Sequence, residues 1–154
     1  MFFAPYAPPP PDPVEFNAQE ADESALLGVA ECGVFEQESE DLFEDCLLSV
    51  ISTVMWRVES DIWPDAIRDN ILRPGQFPGW ALFPECPGVA VCPSEAYWLH
   101  RLAYQAVGMY EDGARGTCDG YENYHSIPEY QYSLSGCTVV GFGGGVWVEW
   151  YARL

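Results

Sequence analysis

The sequence contains no lysine, and its positive charge rests on six arginines set against 24 aspartates and glutamates, a formal net charge of −18. Such a surface repels phosphate backbones and anionic lipid headgroups, which argues against general nucleic-acid binding and against docking on acidic membranes. Histidine is scarce, with His100 and His125 alone, and no Cys-x-x-Cys pair occurs. A zinc site has little to draw on, so neither a metal nor a cofactor is expected. Apolar runs are short: none approaches the roughly 18 residues that a membrane-spanning helix needs. The first thirteen residues, M-F-F-A-P-Y-A-P-P-P-P-D-P, lack a basic start and are broken by proline, unlike a secretory signal peptide.

What is present is core material. Of 154 residues, 49% are hydrophobic and 15% aromatic, enough for one domain and too many for a disordered chain. Six cysteines, Cys32, Cys46, Cys86, Cys92, Cys118 and Cys137, form an even set that reads as disulfides made in an oxidising compartment. The pairing is open from sequence alone; Cys86 and Cys92, which flank P-G-V-A-V, are the first to join. An extracellular or cell-wall location follows, with a leader already removed or export by another route, as for a phage lysin.

Residues 1–17 carry six of the thirteen prolines and read as an extended arm or linker, through which copies of the chain could associate. Residues 18–154 read as a single domain, helices first and a small sheet last. From Ala18 to near Phe35, Leu26, Leu27, Ala30 and Val34 recur at helical spacing behind the acidic Glu20, Asp22 and Glu23, which suit a helix start. The strongest pattern is the stripe Leu42, Phe43, Cys46, Leu47, Val50, Ile51, Val54, Met55 and Val58, broad enough for the central helix of the fold. Pro64 opens a short helix over Asp65–Leu72, and Ser94 caps a helix running to Met109. Cys137–Val140 and Val146–Tyr151 read as two strands joined by the hairpin turn G-F-G-G-G.

Position 31 draws attention as a carboxylate among Leu27, Ala30, Val34 and Phe35. An apolar setting favours the protonated form, the property of a general acid. Several segments then fall into a familiar order. Glu31-Cys-Gly precedes a long apolar helix closing on Trp56-Arg57-Val58, followed by W-P-D-A-I-R-D-N-I over residues 63–71 and by Gly75-Gln76-Phe77. Later come a helix with several alanines, Asp112–Thr117, Tyr124-His125 and a closing strand.

This order resembles the SleB-type cell wall hydrolases, peptidoglycan-cleaving enzymes of the lysozyme-like superfamily. Trp56 stands where that family has Asn, and the histidine of its final Gly-rich turn is absent. The resemblance implies an α+β, mainly α, lysozyme-like domain with a small C-terminal antiparallel sheet. It implies glycan-strand cleavage, as a lytic transglycosylase or muramidase, with Glu31 as the one catalytic acid/base. Gln76, Phe77, Tyr124 and His125 would line the substrate groove, and peptidoglycan would be the partner.

The charge points the other way, since peptidoglycan is itself commonly anionic and encounter would be slowed. Work at high salt or low pH would relieve this. The alternative is a non-catalytic extracellular assembly or glycan-binding protein on the same fold. Glu36, Glu38, Glu40, Asp41, Glu44 and Asp45 could supply a second catalytic carboxylate or form a solvated acidic face. The D-G fragments at 112 and 119 lack the alternating ladder of a calcium loop.

Overall fold

Helix formation starts from local caps. In the computed structural model, which describes residues 14–36, 39–73, 97–121, 123–127, 136–140 and 147–151, the first helix α1 spans Ala18–Glu36. Asn17 begins it, its Oδ1 accepting from the Glu20 amide at 2.9 Å. The second helix α2 spans Glu40–Glu59 and is capped by Ser39, whose Oγ accepts from the amides of Asp41 and Leu42. Glu40 and Asp41 in its first turn and Arg57 in its last complement the helix dipole.

The α2 helix is the centre of the fold, as its stripe predicts. Phe43, Cys46, Leu47, Val50, Ile51 and Val54 are all buried, and so are Ser49, Ser52 and Thr53 on its other side. Gly28 lets α1 approach closely: a Cβ there would lie 2.5 Å from Leu47 Cδ1. A disulfide between Cys32 and Cys46, Cα atoms 5.8 Å apart, locks the two helices.

A short helix α3 covers Ile67–Ile71, beginning later than Pro64 suggests. Ala66 stays extended, and the buried Asn70 side chain donates from Nδ2 to the carbonyls of Pro64 at 2.7 Å and Ala66 at 2.9 Å. That clamp holds residues 64–66 as a turn. The helix α4 spans Tyr97–Glu111; its expected cap, Ser94, lies outside the described residues, as does the Cys86–Cys92 pair. The end of the proline-rich stretch is already part of the fold. Val14 donates its amide to the Glu111 carbonyl at 3.2 Å, and Phe16 is buried against Tyr110.

Where α4 meets α1, His100 is 3% exposed and neither ring nitrogen finds a hydrogen-bond partner among the described residues. Burial pushes its pKa down, opposed by the nearby Asp22 charge. Asp22 also accepts from the Tyr104 hydroxyl, which burial and that bond push up to about 12. Because the unfolded chain binds a proton to this histidine more readily than the folded one, stability falls as pH drops below the unfolded value of about 6.5. Thermal unfolding of wild type and His100→Phe between pH 5.5 and 7.5 should therefore show a steeper acid-side loss for the wild type. Parallel curves would contradict the assignment.

The sheet holds three strands among the described residues: β1 (Asn123–Ile127), β2 (Cys137–Val140) and β3 (Trp147–Tyr151). Sequence reading finds β2 and β3 but not β1, because N-Y-H-S-I shows no apolar alternation. The order is β1-β3-β2, both pairings antiparallel. Central β3 is covered on both sides, with Glu149 and Trp150 fully buried. Glu149 accepts the Gly136 amide at 3.1 Å.

After α4, residues 112–121 form neither helix nor strand, and α2 holds them in place. Asp45 Oδ1 accepts from the Thr117 amide at 2.7 Å, Ser49 Oγ from the Cys118 amide at 3.2 Å and Ser52 Oγ from the Gly120 amide at 2.8 Å. Thr53 Oγ1 donates to the Tyr121 carbonyl at 2.9 Å. A second disulfide, Cys118–Cys137, ties this loop to β2. Gly116 is required by contact: a Cβ would lie 2.3 Å from Ser49 Oγ and 2.6 Å from the Asp45 carbonyl. Gly116→Ala should destabilise the fold by about 1–3 kcal/mol, read as a lower urea midpoint. An unchanged midpoint would show that the loop is not held this way.

Candidate functional site

Three elements converge near the C-terminal part of α1. Glu31 lies on that helix beside Cys32, whose disulfide to α2 fixes the local backbone. The residue is half-buried, and one of its carboxylate oxygens is shielded from solvent. From β1 comes Tyr124, its hydroxyl buried and its ring packed against Trp150 with centroids 5.8 Å apart.

Burial first, and then the charge and hydrogen-bond acceptance of Glu31, push the Tyr124 hydroxyl well above its ordinary pKa; Arg57 pulls it partly back. The phenol therefore stays protonated near neutral pH, a potential donor beside the carboxylate. From α2 comes Arg57, only 3% exposed. It donates to Asn123 Oδ1 at 3.2 Å and lies over the Trp63 ring, 4.1 Å from its centroid.

Glu31, Tyr124 and Arg57 thus bring a carboxyl group, a phenolic donor and a positive charge to one junction. A carboxyl group anchored by a neutral donor keeps its orientation through protonation and deprotonation, which proton transfer to a bound substrate requires. The guanidinium balances the anionic form.

Two of the residues picked from sequence, Glu31 and Tyr124, are brought together. His125 follows in β1, in register with Glu149 of β3. Gln76 and Phe77 lie outside the described residues. Asn123, which accepts from Arg57, escaped the sequence reading, and Trp63 entered it only within the segment of residues 63–71. A signal for Arg57 was present: it falls at helical spacing after Thr53 and Val54, on a face otherwise buried. A buried arginine demands partners nearby.

Comparison with protein-family models, curated proteins and solved structures finds no match for the chain. Among the described residues, no three His, Cys, Asp or Glu side chains are grouped so as to hold a metal ion, and no helix is long and apolar enough to cross a membrane.

Proposed function

We propose that the chain cleaves the glycan strands of peptidoglycan on a lysozyme-like fold, with Glu31 as general acid and base. One observation supports this above the others: residues from distant parts of the sequence, Glu31 and Tyr124, meet as a carboxyl group and its donor beside Arg57. In this reading, protonated Glu31 gives its proton to the glycosidic oxygen as the C1–O bond breaks. The resulting carboxylate then takes a proton either from the C6 hydroxyl of the muramic acid, whose oxygen closes an anhydro ring on C1, or from a water whose oxygen adds to C1. One carboxylate performs both transfers. Tyr124 steadies it in both states, and Arg57 stabilises the anion formed midway.

A second reading is a non-catalytic extracellular assembly or glycan-binding protein, for which peptidoglycan is a ligand or a neighbour. The burial of Arg57 beside Tyr124 favours it, since such a polar cluster can also serve packing alone. The net charge of −18 favours it too.

Digestion of purified peptidoglycan over a range of salt and pH separates the two. Anhydro-muropeptides in the mass spectrum would mark a transglycosylase, and reducing-end fragments a muramidase. No release by folded, disulfide-intact protein overturns the enzymatic reading and leaves the assembly role.

A further inference from the structure

Between α2, the end of α4 and the loop after it lies a cavity of about 300 Å³, a size within the range of small-molecule sites. Glu31, Tyr124 and Arg57 take no part in it. Trp56 forms one wall and is 39% exposed, so its indole leaves aromatic surface uncovered. Tyr110 lines the cavity from α4 and is only 4% exposed. Its ring is fixed, packed against Phe16 with centroids 6.0 Å apart and covered by the Arg115 guanidinium 3.8 Å from its centroid. Its hydroxyl, in contrast, makes no hydrogen bond with any described residue. A buried phenol ordinarily finds a partner for that group. Burial pushes the hydroxyl up to about 12, with Arg115 opposing and Asp119 and Glu59 adding to the rise. Those three residues all line the cavity, so the hydroxyl stands on the cavity side, a protonated donor in want of an acceptor.

We infer that this cavity binds a neutral pyranose ring of a glycan. The C–H face of such a ring suits Trp56, because the face of an indole carries partial negative charge and attracts the slightly positive hydrogens on sugar carbons. Sugar hydroxyls both donate and accept. They would donate to the carboxylates of Glu59 and Asp119, both exposed where they line the cavity, and accept from Tyr110. The mixture of charges in the lining points to a ligand with none of its own. An anion would suit Arg115 but not the two acids, and a simple cation would suit the acids but not Arg115, whose Nε stands 4.0 Å from Asp119. The net charge of −18 likewise turns away acidic saccharides and leaves neutral ones unaffected. The inference goes beyond glycan cleavage at Glu31, because the cavity shares no residue with that junction and the readout is binding.

The test titrates the full chain with cellotriose and triacetylchitotriose, both neutral, and with trigalacturonic acid, which carries a carboxylate on each ring. The indole N–H signals of the tryptophans are followed by NMR, that of Trp56 being assigned by its loss in Trp56→Leu. At least one neutral trisaccharide should bind saturably and shift the Trp56 signal, and trigalacturonic acid should bind more weakly. Trp56→Leu should weaken binding about tenfold. Tyr110→Phe, which keeps the ring and removes the hydroxyl, should weaken binding several-fold at an unchanged melting temperature, since the hydroxyl has no internal bond to lose. The inference is overturned if neither neutral trisaccharide binds saturably, or if binding leaves the Trp56 signal unmoved. Wild-type affinity in either variant, a lowered melting temperature in Tyr110→Phe, or trigalacturonic acid bound as tightly as the neutral sugars overturns it equally.

Discussion

Replacing Glu31 by glutamine is expected to leave a folded protein whose release of muropeptides falls by roughly 10²–10⁴-fold, the range of contribution made by a positioned general acid or base. Glutamine keeps the shape of the side chain, and its carbonyl oxygen can still accept from the Tyr124 hydroxyl. What is lost is the acidic proton and the capacity to become an anion. The comparison therefore isolates proton transfer from packing, provided that melting temperatures are measured alongside. Tyr124, whose hydroxyl the buried site keeps protonated, cannot replace the missing acid, since its pKa is far above working pH. Wild-type rates in Glu31→Gln would remove this carboxylate from any mechanism. A lost rate together with a lost fold would place Glu31 in the framework instead.

The second large effect concerns the disulfides. Cys32–Cys46 closes a separation of 14 residues and Cys118–Cys137 one of 19. In the chain-entropy model each such closure stabilises the folded state by about 3 kcal/mol. A domain of this size has a total stability of only about 5–15 kcal/mol, so losing both would remove much of it. Cys32, Cys46 and Cys118 are completely buried, and their sulfur atoms are shielded from reductant in the native state. Paired Cys→Ala substitutions are therefore the cleaner experiment. Each double variant should show a clearly lower urea midpoint, and the quadruple variant should be largely unfolded at 37 °C. Midpoints equal to that of the wild type would mean that the bridges only decorate helices already held by packing.

The two bridges also bear on the site. The first lies next to Glu31 in sequence. The second reaches Cys137, whose register partner is Trp150, the ring on which Tyr124 packs. Loss of either should loosen the Glu31–Tyr124 pair before the whole fold gives way.

Much of the helical framework was legible because it is built on periodic burial. The α2 stripe from Leu42 to Val58 is apolar at each core-facing step, and a buried helix leaves such a record. The start at Ala18 is equally local, while the cap at Ser39 was not singled out, lying in an acidic stretch that reads as a turn. The start of α3 was not, because it is set by the Asn70 side chain reaching back to Pro64 and Ala66, a contact that no propensity encodes. Strand β1 was missed for a related reason. Its residues become a strand because β3 offers a partner, not because N-Y-H-S-I prefers extended backbone. At the site, Glu31 could be singled out from its apolar neighbours, and Tyr124 from the motif order. The roles of Asn123 and Trp63 became visible only once Arg57 was seen to be buried and in need of company. The polar face of α2 was the hardest to foresee. Asp45, Ser49, Ser52 and Thr53 look like helix-surface residues until the loop they bind is placed over them.

The order β1-β3-β2 also carries a lesson about timing. Of the three strands, β3 is made last, yet both of the others hydrogen-bond to it and not to each other. During synthesis the helices can gather as soon as α4 has left the ribosome, while β1 and β2 wait with unpaired edges. Tyr124 rides on one of those waiting strands. The carboxylate on α1 therefore meets its phenolic neighbour only after the end of the sheet has emerged, so that the candidate site is among the last parts of the molecule to be assembled.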